Sequence, residues 1–268
     1  MEKSTFIGLL LAIVSVFVGM ALKGAPLSNL VNIPAYLIIF GGTASTIIIA
    51  FPMSELKRVP KLFKIAFLGQ KQIGKTEIIR MFMEWATITR REGLLALEGK
   101  VDEIEEPFLR NGMRMIIDGN DQDFVHDVLM EEVHAIEERH KSGALIFTQA
   151  GTYAPTLGVL GAVVGLVAAL GNLSDIEKLG HSIAAAFIAT LLGIFTGYVL
   201  WHPMANKLKR FSKQEIELKT MMVEGLLSIQ SGVSTVAISQ KLSVYLTPTE
   251  RAAEQKGEAA GEQKTAQA

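Results

Sequence analysis

Four long stretches of this chain, residues 4–22, 33–51, 144–170 and 182–201, contain no Asp, Glu, Lys or Arg. Each is close to the roughly 20 apolar residues that a helix needs to cross the hydrocarbon of a bilayer. With 49% hydrophobic residues and a mean hydropathy of +0.33, the chain is too apolar for an ordinary soluble domain. The expected fold class is all-α: a polytopic membrane protein with four transmembrane helices, the third and fourth long and extending into a helical cytoplasmic domain. The first stretch reads as a retained helix, not a signal peptide. Residues 6–22 are longer than a typical signal core, Glu2 spoils a basic leader and no A-x-A site follows.

The missing charges matter for function. A protein that moves ions usually keeps an ionisable residue at membrane depth, and these four spans hold no acidic or basic group of that kind. Either the helices move nothing, or a partner supplies the charge.

Of the 26 Lys and Arg, 23 lie between 53 and 143 or after 204, whereas the two short connections hold only Lys23 and Lys178. Basic residues mark the cytoplasmic side, so both long segments and the N-terminus are expected there, in a multi-pass membrane protein. Cysteine is absent, so disulfides and thiolate metal sites are excluded. The net charge of −1 gives no reason to expect a nucleic-acid partner. No cofactor and no metal is expected.

Five segments follow: a first membrane hairpin (1–52), a cytoplasmic helical insert (53–143), the third and fourth membrane helices (144–203), a cytoplasmic helical continuation (204–252) and a disordered tail (253–268). In the insert, residues 56–68 set Leu56, Val59, Leu62, Phe63 and Phe67 among basic residues, as in a helix lying at the membrane interface. Residues 77–97 show helical periodicity, with Ile78, Met81, Phe82, Trp85, Ile88 and Leu95 on the apolar face. A shorter helix over 107–117 stops at Asp118-Gly119-Asn120. From Asp121 the pattern stays helical through Phe124, Val128, Val133 and Ile136 into the third span, and the fourth span runs on past Pro203 through Leu226. Thr247-Pro248-Thr249-Glu250 is a helix-start signature, with a cap, a first-turn proline and a capping-box acid.

Residues 69–76, Gly-Gln-Lys-Gln-Ile-Gly-Lys-Thr, match the phosphate-cradling G-x-x-x-x-G-K-[ST] loop. Such a loop needs a multi-stranded α/β domain, and the insert offers at most one or two strand candidates. A polar loop ahead of a helix is the better reading. Glu131–His134 and Glu137–His140 have the E-x-x-H spacing of di-iron bundles. Both pairs lie on one helix six residues apart, which turns their faces about 240° away from each other, so a solvated charged face is expected instead. His181 and His202 flank the fourth span as interface residues.

The third span carries small residues at Gly151, Ala154, Gly158, Gly161, Gly165 and Ala168, spaced by three and four. The fourth repeats Ala185, Ala189, Gly193 and Gly197 every four. Small seams let helix backbones approach closely in lipid. Pro155, inside the third span, removes a backbone donor and frees a carbonyl near Gly151. Pro203 does the same at the end of the fourth. Thr148, Thr152, Thr156, Thr190 and Thr196 add hydroxyls. The pair has the makings of a mobile conduit wall that lacks its own titrating group.

Three blocks carry a resemblance: residues 90–98 (RREGLLALE), 150–166 (AGTYAPTLGVLGAVVGL) and 184–208 (AAAFIATLLGIFTGYVLWHPMANKL). Together with the four-span layout they resemble the flagellar stator subunits of the MotA/ExbB/TolQ proton-channel family. That resemblance covers almost the whole chain except the tail. It implies a non-enzymatic ring subunit, a pentamer around a dimer of a MotB-type partner whose single membrane helix supplies the essential aspartate. It implies that ion flow turns the ring against the rotor switch protein FliG. Carried over residue by residue, Arg90 and Glu98 are rotor contacts, although spacing alone makes them a solvated helix face, about 80° apart. Pro155 and Pro203 couple ion passage to shape change, Thr190 lines the ion path and Tyr198 lies lower on the same helix. Sodium-driven relatives carry threonine at the position of Ala162, so alanine there favours protons.

The alternatives are a sodium-driven stator of the same family, an ExbB/TolQ-like energising subunit, a membrane-anchored P-loop nucleotidase and a purely structural scaffold. The extra first hairpin and the 90–98 block argue against the ExbB/TolQ kind, whose members typically have three spans.

Overall fold

The structure, a computed structural model, describes residues 3–70, 72–171 and 173–253. The expected disordered tail, 253–268, lies outside the described residues apart from Ala253. Its main helices are α1 (Lys3–Leu22), α2 (33–50), α3 (Val59–Leu68), α4 (Lys75–Glu92), α5 (Pro107–Ile117), α6 (Gln122–Leu170), α7 (Ile176–Gln230) and α8 (Thr235–Leu242). No strand occurs among the described residues. Four helices, α1, α2, α6 and α7, are long and apolar enough to cross a membrane. The expectation of an all-α chain with four spans and unusually long third and fourth helices is met.

The chain divides into two compact units, one of residues up to 70 with 139–212, the other of residues from 71 to 138 with those after 212. The first holds the apolar helices. Asn32 caps α2 by accepting from the Ala35 backbone N–H (3.1 Å), with Pro34 in the first turn. A π turn at Leu37–Gly41 interrupts α2. The four basic residues of the expected interfacial helix, Lys57, Arg58, Lys61 and Lys64, are all exposed. Its opposite face buries Ala66 and brings Phe63 edge-on to Phe147 (5.0 Å) and Trp201 (5.9 Å). α1 joins α3 through Phe6 against Phe67 (5.7 Å) and through Thr5 Oγ1, which donates to the Ala66 carbonyl (3.4 Å).

The second unit is a helical bundle around Ile78, Phe82, Leu109, Met113, Leu129, Met222, Leu226 and Ile238, all essentially buried. Phe82 meets Trp85 edge-to-face at 5.3 Å. The absence of a side chain at Gly225 makes room for Phe82, since a Cβ there would fall 2.4 Å from the ring. Lys219 is buried with its ammonium 2.9 Å from Glu106 and 4.7 Å above the Phe108 ring. Glu106 also caps α5 by accepting from the Phe108 N–H (3.3 Å). The Thr247–Glu250 capping box forms as expected: Thr247 N–H donates to the Glu250 carboxylate (2.8 Å), and the Glu250 N–H donates to Thr247 Oγ1 (3.3 Å).

One expectation fails here. The helix expected over 77–97 ends at Glu92, because Gly93 takes φ +88°, a left-handed conformation open to glycine, and a short 3-10 turn follows. Leu95, expected on the apolar face, is 70% exposed. The helix expected from Asp121 through Phe124, Val128, Val133 and Ile136 forms as α6, where Phe124 and Val128 are exposed and the buried face is Val125, Leu129, Val133 and Ile136. That face keeps the i, i+4 rhythm of a helix but starts one residue later.

Candidate functional site

The small-residue seams of α6 and α7 meet each other. A Cβ on Gly158 would lie 2.8 Å from the Ala189 carbonyl oxygen, and one on Gly193 would lie 2.8 Å from that of Ala154. Each glycine thus turns a Cα–H towards a carbonyl of the other helix, the weak hydrogen bond that recurs at close helix crossings. Gly161 packs towards Ala189, Gly165 towards Ala186, and Gly151 against the His202 ring. The packing partner is Ala186, buried, in place of the expected Ala185, which is only half-buried. Ala168 likewise faces out while Ala169 is buried. A strict repeat of four drifts off one face of a 3.6-residue helix, and the observed set 186, 189, 193, 197 corrects the drift.

α6 runs through Pro155 without interruption. The carbonyl of Gly151, deprived of its donor by that proline, faces Gly197, where a Cβ would lie 2.8 Å from the oxygen and 2.7 Å from the Pro155 ring. Glycine at 197 is what lets α7 cover both the ring and the carbonyl. Pro203 is accommodated differently. Just before it, Thr196–Trp201 forms a π turn, and His202 N–H donates to the Gly197 carbonyl, five residues back. π turns occur mostly as single wide turns inside α-helices, frequently at functional sites.

The threonine hydroxyls donate to carbonyls of their own helix: Thr148 to Ala144 (3.1 Å), Thr152 to Thr148 (3.1 Å), Thr156 to Tyr153 (2.7 Å), Thr190 to Ala186 (3.3 Å) and Thr196 to Leu192 (2.8 Å). A hydroxyl whose proton is committed in this way offers only lone pairs to its surroundings. That is the polarity a cation or a hydronium needs. Thr190 and Ala162 are half-buried, and Tyr198 is 64% exposed with its ring 5.3 Å from His202. Asp175 caps α7, and the Lys178 backbone N–H, with the Lys178 side chain, holds its carboxyl below the usual carboxylate range.

The two expected rotor-contact residues lie elsewhere, in the second unit. Arg90 is exposed in the last turn of α4, and Glu98 is exposed at the start of a single-turn helix, Glu98–Val101, beyond the Gly93 break. They are not on one helix, so their angular separation along a helix has no meaning. Lys75, the lysine of the phosphate-loop match, points into its own unit: its ammonium is 2.6 Å from Glu217 and 2.7 Å from the Tyr245 carbonyl. Both contacts occupy the charge that a nucleotide phosphate would need. Among the described residues no group of three or more His, Cys, Asp or Glu could hold a metal ion.

Residues 6–93 match the family model of the motility protein A N-terminal segment, and residues 100–221 match that of the MotA/TolQ/ExbB proton channel family. Motility protein A of Bacillus subtilis is 55% identical to the chain, covering 94% of it and 93% of that protein. The chain belongs to the MotA/TolQ/ExbB proton channel family. Chemotaxis protein PomA of Vibrio alginolyticus, 32% identical over 95% of the chain and 99% of its own length, is a more distant match. The MotAB stator complex from Bacillus subtilis contains a chain of the same fold, with a TM-score of 0.89 and 55% identity, covering 93% of this chain and 98% of that one. Sequence reasoning missed Ala186 and both π turns, and it did not foresee that Gly151 would hold the His202 ring.

Proposed function

We propose that the chain is the membrane ring subunit of a flagellar stator, which with a MotB-type partner conducts protons and turns their flow into torque. One observation carries this reading: a closely packed, hydroxyl-bearing helix pair with no acid or base of its own at membrane depth. Such a wall is half of a conduit. The missing carboxylate comes from the partner's single membrane helix. Membership of a proton channel family and likeness to a chain of the MotAB stator complex support that division.

In this proposal Thr190 lines the ion path near the partner aspartate, Tyr198 lies lower on the same helix and Ala162 leaves out the hydroxyl that a sodium path would use. One elementary charge falling through 100 mV releases about 2.3 kcal/mol, several times the thermal energy. Protonation removes the aspartate's charge, and with it the cost of seating that side chain against apolar wall. Each proton therefore changes which ring–partner contact is favoured. Pro155 and Pro203 are where the wall yields, because each removes a backbone hydrogen bond. The motion reaches Arg90 and Glu98, whose exposed charges push on FliG. A pentameric ring around a partner dimer, seated in the inner membrane with both termini cytoplasmic, completes the proposal.

The test is conduction with and without the partner. Proteoliposomes holding both subunits should take up protons under an imposed potential, and those holding this chain alone should not. Robust proton uptake by the lone subunit would overturn the divided conduit. Complementation of a non-motile deletion strain separates a motor part from a scaffold or an envelope-energising subunit.

A further inference from the structure

A groove of about 450 Å³, lined in part by Tyr198 and Pro203, runs between α1, α3 and α7. That volume falls in the roughly 300–1,000 Å³ range of sites that enclose a ligand. Its long walls are apolar: Gly8 and Leu9 from α1, Ala66 and Phe67 from α3, Leu200 and Met204 from α7. One end is polar. There the Lys207 ammonium bonds to Thr5 Oγ1 and reaches Ser4 Oγ at 3.4 Å. Lys207 also opens the basic run Lys207, Lys209, Arg210 and Lys213.

We propose that this groove binds one acidic phospholipid, its acyl chain along Leu9, Phe67 and Leu200 and its phosphate at Lys207 and Ser4. The chemistry has two halves that only an amphiphile satisfies at once. The walls are mainly apolar, while the end provides the Lys207 cation with the Ser4 hydroxyl beside it, which suit a phosphate oxygen. Basic pockets between membrane helices on the cytoplasmic side are a recurrent form of acidic-lipid site. The inference rests on the topology proposed above, which puts Lys207 at the cytoplasmic face. A lipid wedged there would hold α1 and α3 against the end of α7 that carries Pro203, and so would tune how freely that end moves.

The test uses the purified complex of the full chain with its partner, in vesicles of equal phosphatidylglycerol and phosphatidylcholine. Native mass spectrometry should find phosphatidylglycerol retained at least fivefold over phosphatidylcholine. Lys207→Gln should bring that ratio close to one, and Leu9→Trp, which fills the groove from its apolar end, should lower retention of both lipids. Equal retention by the unaltered complex, or an unchanged ratio in Lys207→Gln, overturns the site. A photo-reactive side chain installed at Leu9 reports the occupant directly. Cross-linking to lipid supports the proposal, and cross-linking to a second copy of the chain overturns it. Proton uptake by the same unaltered complex is measured in parallel. A complex that conducts without lipid preference removes the lipid site alone, and one that prefers the lipid but fails to conduct removes the stator reading alone.

Discussion

Gly158 and Gly193 touch through their backbones: a methyl added to Gly158 would fall 2.9 Å from the Gly193 Cα, and one added to Gly193 would fall 2.8 Å from the Gly158 Cα. The obstruction in each case is backbone, so no side chain can swing aside. Gly193→Val should therefore force α6 and α7 apart, at a cost of roughly 1–3 kcal/mol or more for overpacking. The expected outcome is a complex that still reaches the membrane but no longer supports swimming. Immunoblotting of membrane fractions beside a swim-plate assay checks it. Normal motility in Gly193→Val would mean that this crossing is dispensable.

Ala162 bears on the choice of ion. Swimming driven by this subunit should be insensitive to removal of external sodium and should stop within seconds of adding a protonophore. Tracking single cells in sodium-free buffer reads both. A speed that rises in proportion to external sodium would contradict the proton assignment.

Lys219 is buried with Glu106 as its carboxylate partner. Glu106→Ala removes that partner and the α5 cap together. Breaking a buried ion pair from one side costs about 3–5 kcal/mol, because the charge left behind stays out of water. Heat-denaturation curves should show the loss, and the double change Glu106→Ala, Lys219→Met should restore much of it.

Lys75→Ala tests the phosphate-loop match. The ammonium is already held by Glu217 and the Tyr245 carbonyl, so the purified protein should show no saturable nucleotide binding before or after the change. The substitution should instead loosen the segment around Tyr245, read as faster amide exchange there.

The Glu250 carboxyl is held below its usual range, first by the Thr247 backbone N–H and then by the Thr247 hydroxyl. A carboxyl with a lowered folded value contributes its stabilisation above its unfolded value and loses it as pH falls through the folded one. The helical turn over 248–253 should therefore stay capped at neutral pH and open only in acid, below the ordinary carboxylate range. Protection of the Thr247 amide, its exchange relative to an unstructured peptide at the same pH, reads this directly. Protection already lost near neutrality would be inconsistent with the cap.

The large features of this fold were readable from residue order because lipid imposes simple rules. Charge-free runs gave the spans, and small residues three and four apart gave the seam of α6. What escaped was anything set by a partner surface or by a change of pitch. The choice of Ala186 over Ala185 depends on where α6 lies against α7. The buried face of α6 starts at Val125 and not at Phe124, because the neighbouring bundle, not the side chain's own hydrophobicity, decides which residues turn inward. The end of α4 was signalled by Gly93, a glycine just past the basic last turn Arg90-Arg91, but the apolar rhythm of Leu94, Leu95 and Leu97 concealed it. The proposed rotor contacts, Arg90 and Glu98, were reached only through the resemblance, since exposed charges look alike in any sequence.

The wide turn at Thr196–Trp201 has one more consequence. Each residue of an α-helix advances its side chain by about 100°, so a residue accommodated in a π turn shifts the angular phase of everything after it. The residues of α7 before the turn and those after it are indexed separately, as two sections of a shaft keyed at different angles. Deleting one residue within 196–201 would let the helix close to ordinary pitch with His202 still on Gly151, Lys207 still at Thr5 and Gly193 still on Gly158, because the wide turn absorbs just one extra residue. The sequence of this helix is thus read in two frames, and the turn between them is the place where a one-residue deletion merges the frames without moving either face.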